Sequence, residues 1–222
     1  MIPSNEGQFE TLRQIQRTVA QQVVLEDAAS EVTTIGGVAQ SFEEDFVFSS
    51  AVVVNSLMTV IDEAQSISKI SMPYVPGLLF FREGPAAIAT VNNLHTPPDV
   101  LIVHGCGINH PRFAGLASHV GVLLDMPTVG VSTKSLCGDY DEPTQEGQHT
   151  TLTFKNKLLG FALKSVAGSK PVFVSPGNHV SAQGALRIVQ RCALNYRLPE
   201  PLRLARIKAR RLRAELHELH AS

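Results

Sequence analysis

Two short runs constrain the fold most. Residues 99–104 (DVLIVH) and 127–132 (PTVGVS) are apolar at nearly every position rather than at alternate ones. A strand of that kind is covered on both faces, as parallel strands beneath helices are. Upstream the pattern differs. Residues 33–42 (TTIGGVAQSF) read as a strand with two glycines, residues 46–56 (FVFSSAVVVNS) as a second, rich in Val and Phe, and a third is expected near 57–70. The acidic link Glu43-Glu44-Asp45 is short enough for a hairpin. Three antiparallel strands followed by alternating strands and helices predict an α/β fold, a mixed sheet flanked by helices.

Helices are expected at residues 6–28, where Leu12, Ile15, Val19 and Val23 recur at spacings of three and four, and at 81–94, 112–122, 181–193 and 202–220. A hairpin or strand after residue 148 and a strand at 171–175 complete the set. No linker divides the 222 residues, so a single domain over 1–222 is expected. The three cysteines are far apart and odd in number, which fits neither a disulfide framework nor a metal knuckle. No apolar run reaches the roughly 18 residues that span a bilayer. The first residues lack a basic-then-apolar leader. A cytoplasmic protein without a membrane partner is the expectation. The net charge of −1 excludes a uniformly basic coat protein. Basic charge is nevertheless concentrated at Arg203, Arg206, Lys208, Arg210, Arg211 and Arg213, with no acid among them. This stretch reads as a positive face for phosphates, or as a solvated helix docked by its leucines.

Sites in such sheets form beyond the carboxyl ends of parallel strands. The end of strand 33–42, the loop after 99–104 and the helix start near Glu83 are therefore expected to lie close together. Three clusters carry chemistry. Met72-Pro73-Tyr74-Val75-Pro76-Gly77 is a rigid, proline-bounded tip bearing an aromatic. Such a tip suits a wedge that holds a nucleic-acid stack open, or a plain surface turn. Arg82-Glu83 follows, as a surface pair or a functional one. His104-Gly105-Cys106-Gly107-Ile108-Asn109-His110-Pro111-Arg112 begins where the apolar strand ends. Its two histidines suit metal ligation, acid–base work or a satisfied structural role. Lys134, just after strand 127–132, is placed to neutralise a phosphate.

Together these clusters resemble the endonuclease V family, which cuts DNA, and in some members RNA, near inosine. The resemblance covers most of the chain. It is densest in PYVPGLLFFRE, GINHPR, ASHVG, DMPTVGV and SLCG, and continues to YRLPEPLRLA. It implies an RNase H-like fold, Mg²⁺ as cofactor and inosine-containing or distorted DNA or RNA as partner. It also implies a catalytic role for Glu83, His110 and Lys134, with Glu83 a metal ligand and Arg82 beside it. Tyr74 and Pro73 match the wedge. Gly77, Leu79, Gly107, Gly115, Leu116 and Gly130 match the lining of the base pocket.

The sequence departs from the family at the metal. Ala39 stands where the first strand carries an aspartate ligand, and His104 where a second aspartate is expected. The expected lysine aligns with Thr133, beside Lys134; Gly177-Asn178-His179 replaces Gly-His-Arg; Gln183 replaces an acid. A nitrogen ligand at His104 suits Mn²⁺ or Zn²⁺ better than Mg²⁺. The expectation is a protein that recognises inosine, with Mg²⁺ binding weak or absent and cleavage weakened or lost. The alternative is an active nuclease working through an altered metal site.

Overall fold

The computed structural model describes residues 5–28 and 31–221, the side chains of residue 5 and residues 217–221 aside. The expected hairpin forms first: β1 (Ile35–Glu43) and β2 (Phe46–Val54) are antiparallel, and β3 (Val60–Lys69) continues the meander. After α2 (Leu79–Asn92) come β4 (Val100–His104), α3 (Leu116–Leu124) and β5 (Thr128–Ser132). The hairpin β6 (His149–Phe154) and β7 (Lys157–Leu163) leads to β8 (Val172–Asn178), then α4 (Ala182–Arg191) and α5 (Glu200–Ala221). α1 (Asn5–Gln22) precedes them all. One eight-stranded sheet results, in the order β3-β2-β1-β4-β5-β8-β7-β6. The parallel pairings are β1 with β4 and β4 with β5; β8 runs antiparallel to β5.

Strand alternation sorts side chains onto two faces. Ile35 and Ala39 of β1, Val52 and Val54 of β2, Val100 and Ile102 of β4, and Val129 and Val131 of β5 pack with Leu186 of α4 and Leu202 and Ala205 of α5. Val38, Val53, Leu101 and Val103 pack on the other face with Phe80 of α2 and Leu116 and Val120 of α3. The glycine pair of β1 has a use here. A Cβ on Gly37 would sit 2.3 Å from the Pro201 carbonyl carbon, so glycine lets α5 lie directly on the strand. Among the described residues no helix is long and apolar enough to cross a membrane.

The helix boundaries differ from expectation for local reasons. α1 ends at Gln22 rather than 28. Beyond it the Val24 N–H donates to Asn178 Oδ1 (3.0 Å), and Asp27 accepts from the Ser181 N–H and from Arg187, so tertiary bonds pull the chain off the helix axis. α3 begins at Leu116 rather than 112, because Pro111, Phe113 at φ 57° and an extended Gly115 form a loop. α2 begins at Leu79, two residues early, and contains Pro85. Proline cannot donate to the Phe81 carbonyl four residues back. The Ser71 hydroxyl does so instead, at 2.8 Å.

Candidate nucleic-acid site

A cavity of about 370 Å³ opens at the carboxyl ends of β4 and β5. His104, Gly105 and Cys106 after β4, Ser132 to Leu136 after β5, Leu79 and Phe80 from α2, and Gly115 and Leu116 from α3 line it. Tyr74, Gly77, His110 and Gln16 close its rim. Segments distant in sequence thus meet at the carboxyl ends of β4 and β5, but neither the end of β1 nor Glu83 is among the lining residues. A second cavity, of about 320 Å³, opens at the opposite ends of β4 and β5 and contains none of the predicted site residues.

The tip beside the cavity is held from within. Val75 O accepts from the Leu78 N–H (2.9 Å), with Pro76 and Gly77 (φ 77°) between them. Proline then positive-φ glycine is the type II turn pattern. The Gly77 carbonyl accepts three hydrogen bonds: from Gln16 Nε2 (2.9 Å), His110 Nε2 (3.0 Å) and Arg112 Nη2 (2.8 Å). Gln16 Oε1 in turn accepts from Arg112 Nε at 2.6 Å. Tyr74, 63% exposed, stands on this braced tip.

His110 is engaged at both ring nitrogens. Its Nδ1 accepts from the Arg112 N–H at 3.2 Å, which leaves the proton on Nε2 for Gly77. Burial, then the Arg112 charge, holds its pKa down to about 4, so the ring stays neutral. His119, from the ASHVG motif, lies fully buried against the Phe80 ring at 4.0 Å, and neither of its nitrogens has a hydrogen-bond partner among the described residues. Burial again lowers its pKa to about 4.

Glu83 lies on α2 below the tip. It is buried, and that burial, opposed by Arg82, raises its carboxyl to about 7. Arg82 lies over the Phe42 ring at 4.8 Å. Glu83, Arg82 and Pro73 are outside the lining of the cavity, which Lys134 joins. Gly107 and Gly130 are outside it as well. A Cβ on Gly107 would meet the Pro176 oxygen at 2.1 Å, and one on Gly130 the Gly107 nitrogen at 2.3 Å. They seat the loop after β4 on β5 and β8, where the Gly107 N–H donates to Ser175 Oγ (2.9 Å). The Cys106 thiol, pushed up to about 11 by burial, stays protonated.

The predicted ligand positions do not assemble a carboxylate cluster. Ala39 is fully buried in the core. Val38 pairs with Val103, so Ala39 is followed across the parallel pair by His104. Burial lowers His104 to about 4, and the charges of Arg206 and Arg210 act in the same direction. Among the described residues no three His, Cys, Asp or Glu side chains come together as a metal site would need.

Sequence reasoning missed Gln16. Its signal was a polar side chain in phase with Leu12, Val19 and Val23 on the inward stripe of α1. Ile15, assigned to that stripe, is 42% exposed, whereas Gln16 is 1% exposed. Asn178, read only as a departure from the family pattern, ties Val24 to the Gly121 carbonyl.

A family model for endonuclease V matches residues 17–207. The chain belongs to the endonuclease V family. Endonuclease V of Xanthomonas axonopodis pv. citri is 41% identical, over 93% of this chain and 90% of its own. The catalytic domain of human endonuclease V has a TM-score of 0.88 at 30% identity, covering 96% of this chain and 98% of that one. A Ciona intestinalis endonuclease V in complex with a 24mer DNA containing an inosine followed by a ribo-adenosine has the same fold, at TM-score 0.82 and 24% identity, with 95% and 99% covered. The mixed sheet is the RNase H-like sheet of these endonuclease V structures.

Proposed function

We propose that this endonuclease V family member recognises inosine in a nucleic-acid strand and holds it with phosphodiester cleavage weakened or lost. The observation that carries the reading is a contrast within one site. The tip bearing Tyr74 is braced at the Gly77 carbonyl by three donors, next to a cavity large enough for a base. The middle of β1 and the end of β4 carry an alanine and a neutral imidazole where metal-dependent hydrolysis needs carboxylates. A base taken out of its stack is held in a pocket of this kind while an aromatic fills the gap. The inosine-containing DNA bound to the Ciona relative supports the choice of ligand. In this reading His110 and Gln16 are positioning residues for the tip, and Leu79, Gly115 and Leu116 form the walls of the pocket. Lys134 meets a phosphate at the rim.

Mg²⁺ takes oxygen ligands in near-octahedral geometry. Family resemblance implies it, yet Ala39 supplies no donor and His104 supplies nitrogen. Ser50, directly across from Ala39 in the β1–β2 ladder, is buried, and its hydroxyl has no hydrogen-bond partner among the described residues. An acceptor at position 39 would satisfy that hydroxyl. The test compares binding and cleavage of inosine-containing DNA and RNA with unmodified strands, in Mg²⁺ and in Mn²⁺. Preferential binding of inosine strands with little or no cleavage is expected. The double change Ala39→Asp with His104→Asp is expected to raise cleavage. Robust Mg²⁺-dependent cleavage by the unaltered chain would overturn the reading.

A further inference from the structure

The cations of α5 are not equivalent. Arg203 makes two hydrogen bonds to Glu200, both 2.7 Å. Lys208 pairs with Glu63 (2.6 Å), Arg211 with Glu215 (2.9 Å), and Arg213 lies 3.9 Å from Glu43. Arg206 and Arg210 have no hydrogen bond or ion pair to any described residue. They are four residues apart, so they project from the same side of the helix, where like charges repel.

The fold aims that side at the end of β4. α5 runs along β1 from Pro201, seated on Gly37, to Arg213, whose Nη1 donates to the Phe42 carbonyl at 3.4 Å. The intervening turns lie over Ala39, and Ala205 packs in the same core cluster. His104 alternates with Val100 and Ile102 on that same face. α5 packs against β4 as well as β1. With only a methyl at position 39, the face opposite the arginines carries no neutralising carboxylate there. A divalent cation placed here would meet two positive charges; an anion would meet two unpaired guanidiniums.

We propose that Arg206 and Arg210 form a metal-free site for a backbone phosphodiester group at the end of β4. The inference rests on the nucleic-acid reading above for the identity of the anion, and on the arginine pair for the site. Two guanidiniums suit a phosphate because each presents planar, paired donors to its oxygens. Strand binding then needs no divalent ion, and added Mg²⁺ or Mn²⁺ does not strengthen it.

The experiment uses the full chain in EDTA. Inorganic phosphate is titrated against thermal unfolding of the unaltered protein, of Arg210→Gln and of Arg206→Gln with Arg210→Gln. A single-stranded 15-mer DNA with one deoxyinosine is then titrated at several salt concentrations. The same strand is also titrated with neutral methylphosphonate linkages flanking the inosine, and an unmodified strand serves as control. Phosphate is expected to raise the Tm of the unaltered chain and to lose that effect in the double variant. Affinity for the inosine strand is expected to fall about tenfold or more on loss of the charge-assisted bonds. The salt slope of log K is expected to fall by about 0.7 for each contact removed. Methylphosphonate should weaken the unaltered chain and leave the double variant unchanged. Arg206→Lys with Arg210→Lys should retain part of the affinity. Because Arg210 is exposed, Arg210→Gln alone reports on the site if the double variant fails to fold. Unchanged phosphate protection, affinity and slope in the Gln variants would overturn the site, as would binding that requires a divalent ion. If inosine and unmodified strands bind alike while the variants still lose phosphate protection, the inosine reading falls and the anion site stands. If inosine preference persists and the variants bind as the unaltered chain does, the reverse holds.

Discussion

A carboxylate buried without a hydrogen bond destabilises the fold that holds it, and among the described residues Glu83 has none. Its folded pKa is raised from 4.5 to about 7 by burial. The protonated form is the favoured one, so the stability it allows is present below pH 4.5 and is lost as pH rises through 7. Glu83→Gln should therefore be more stable than the unaltered chain at pH 8, by about 3 kcal/mol, and nearly equal to it at pH 4.5. Urea unfolding at the two pH values checks this, and equal stability of both proteins at pH 8 would show that Glu83 is solvated. Tyr74 makes the opposite case, since the fold barely uses its exposed ring. Tyr74→Ala should leave the urea midpoint unchanged and weaken binding to inosine strands by about 1–3 kcal/mol, the value of one aromatic–base stack. Unchanged affinity would remove it from the wedge. Both residues were legible in the sequence through their motif. The engagement of His110 at both nitrogens was not, because that depends on Gly77 and Arg112 arriving from either side.

Among the elements, α1 contributes to the site through one residue. Gln16 bridges Arg112 and the Gly77 carbonyl, and so couples the helix to the tip. Gln16→Ala leaves the Arg112 Nε–H without its acceptor, which costs about 1–3 kcal/mol in a buried setting. The expected outcome is faster amide exchange across residues 71–78 and a smaller preference for inosine, with the helical signal of α1 retained. Exchange unchanged over those residues would mean that His110 and Arg112 suffice. The existence of most elements was readable from periodicity. Their ends were not, since Asn178 and Asp27 decide where α1 stops and Ser71 makes Pro85 tolerable inside α2. α5 was legible as basic and amphipathic. Which of its arginines remain unpaired depends on the acids that β1 and β3 bring beside it.

For the whole molecule, two buried histidines and the partly buried His104 set the response to acid. His104, His110 and His119 are each held at about 4, below the ordinary 6.5. A depressed folded pKa gives stability that is present above 6.5 and lost as pH falls through 4, at about 1.4 kcal/mol per pH unit for each group. Glu83 acts in the other direction between 4.5 and 7 but is outnumbered. Stability should therefore peak near pH 6.5 and fall steeply towards pH 4.5. Unfolding titrations across that range check it, and a flat profile would mean that water reaches the rings. The sequence alone determined the family and the mixed sheet, because strand periodicity and contiguous motifs are local properties of a chain. It also placed Ala39 and His104 at two positions where the family resemblance implies carboxylates, which is a matter of residue identity. Only the tertiary structure decided that β8 is antiparallel to β5, that Gly107 and Gly130 lie tight against backbone, and that Arg206 and Arg210 pair with no acid among the described residues. Burial, hydrogen-bond partners and charge pairing arise between segments up to a hundred or more residues apart, and no local pattern records them.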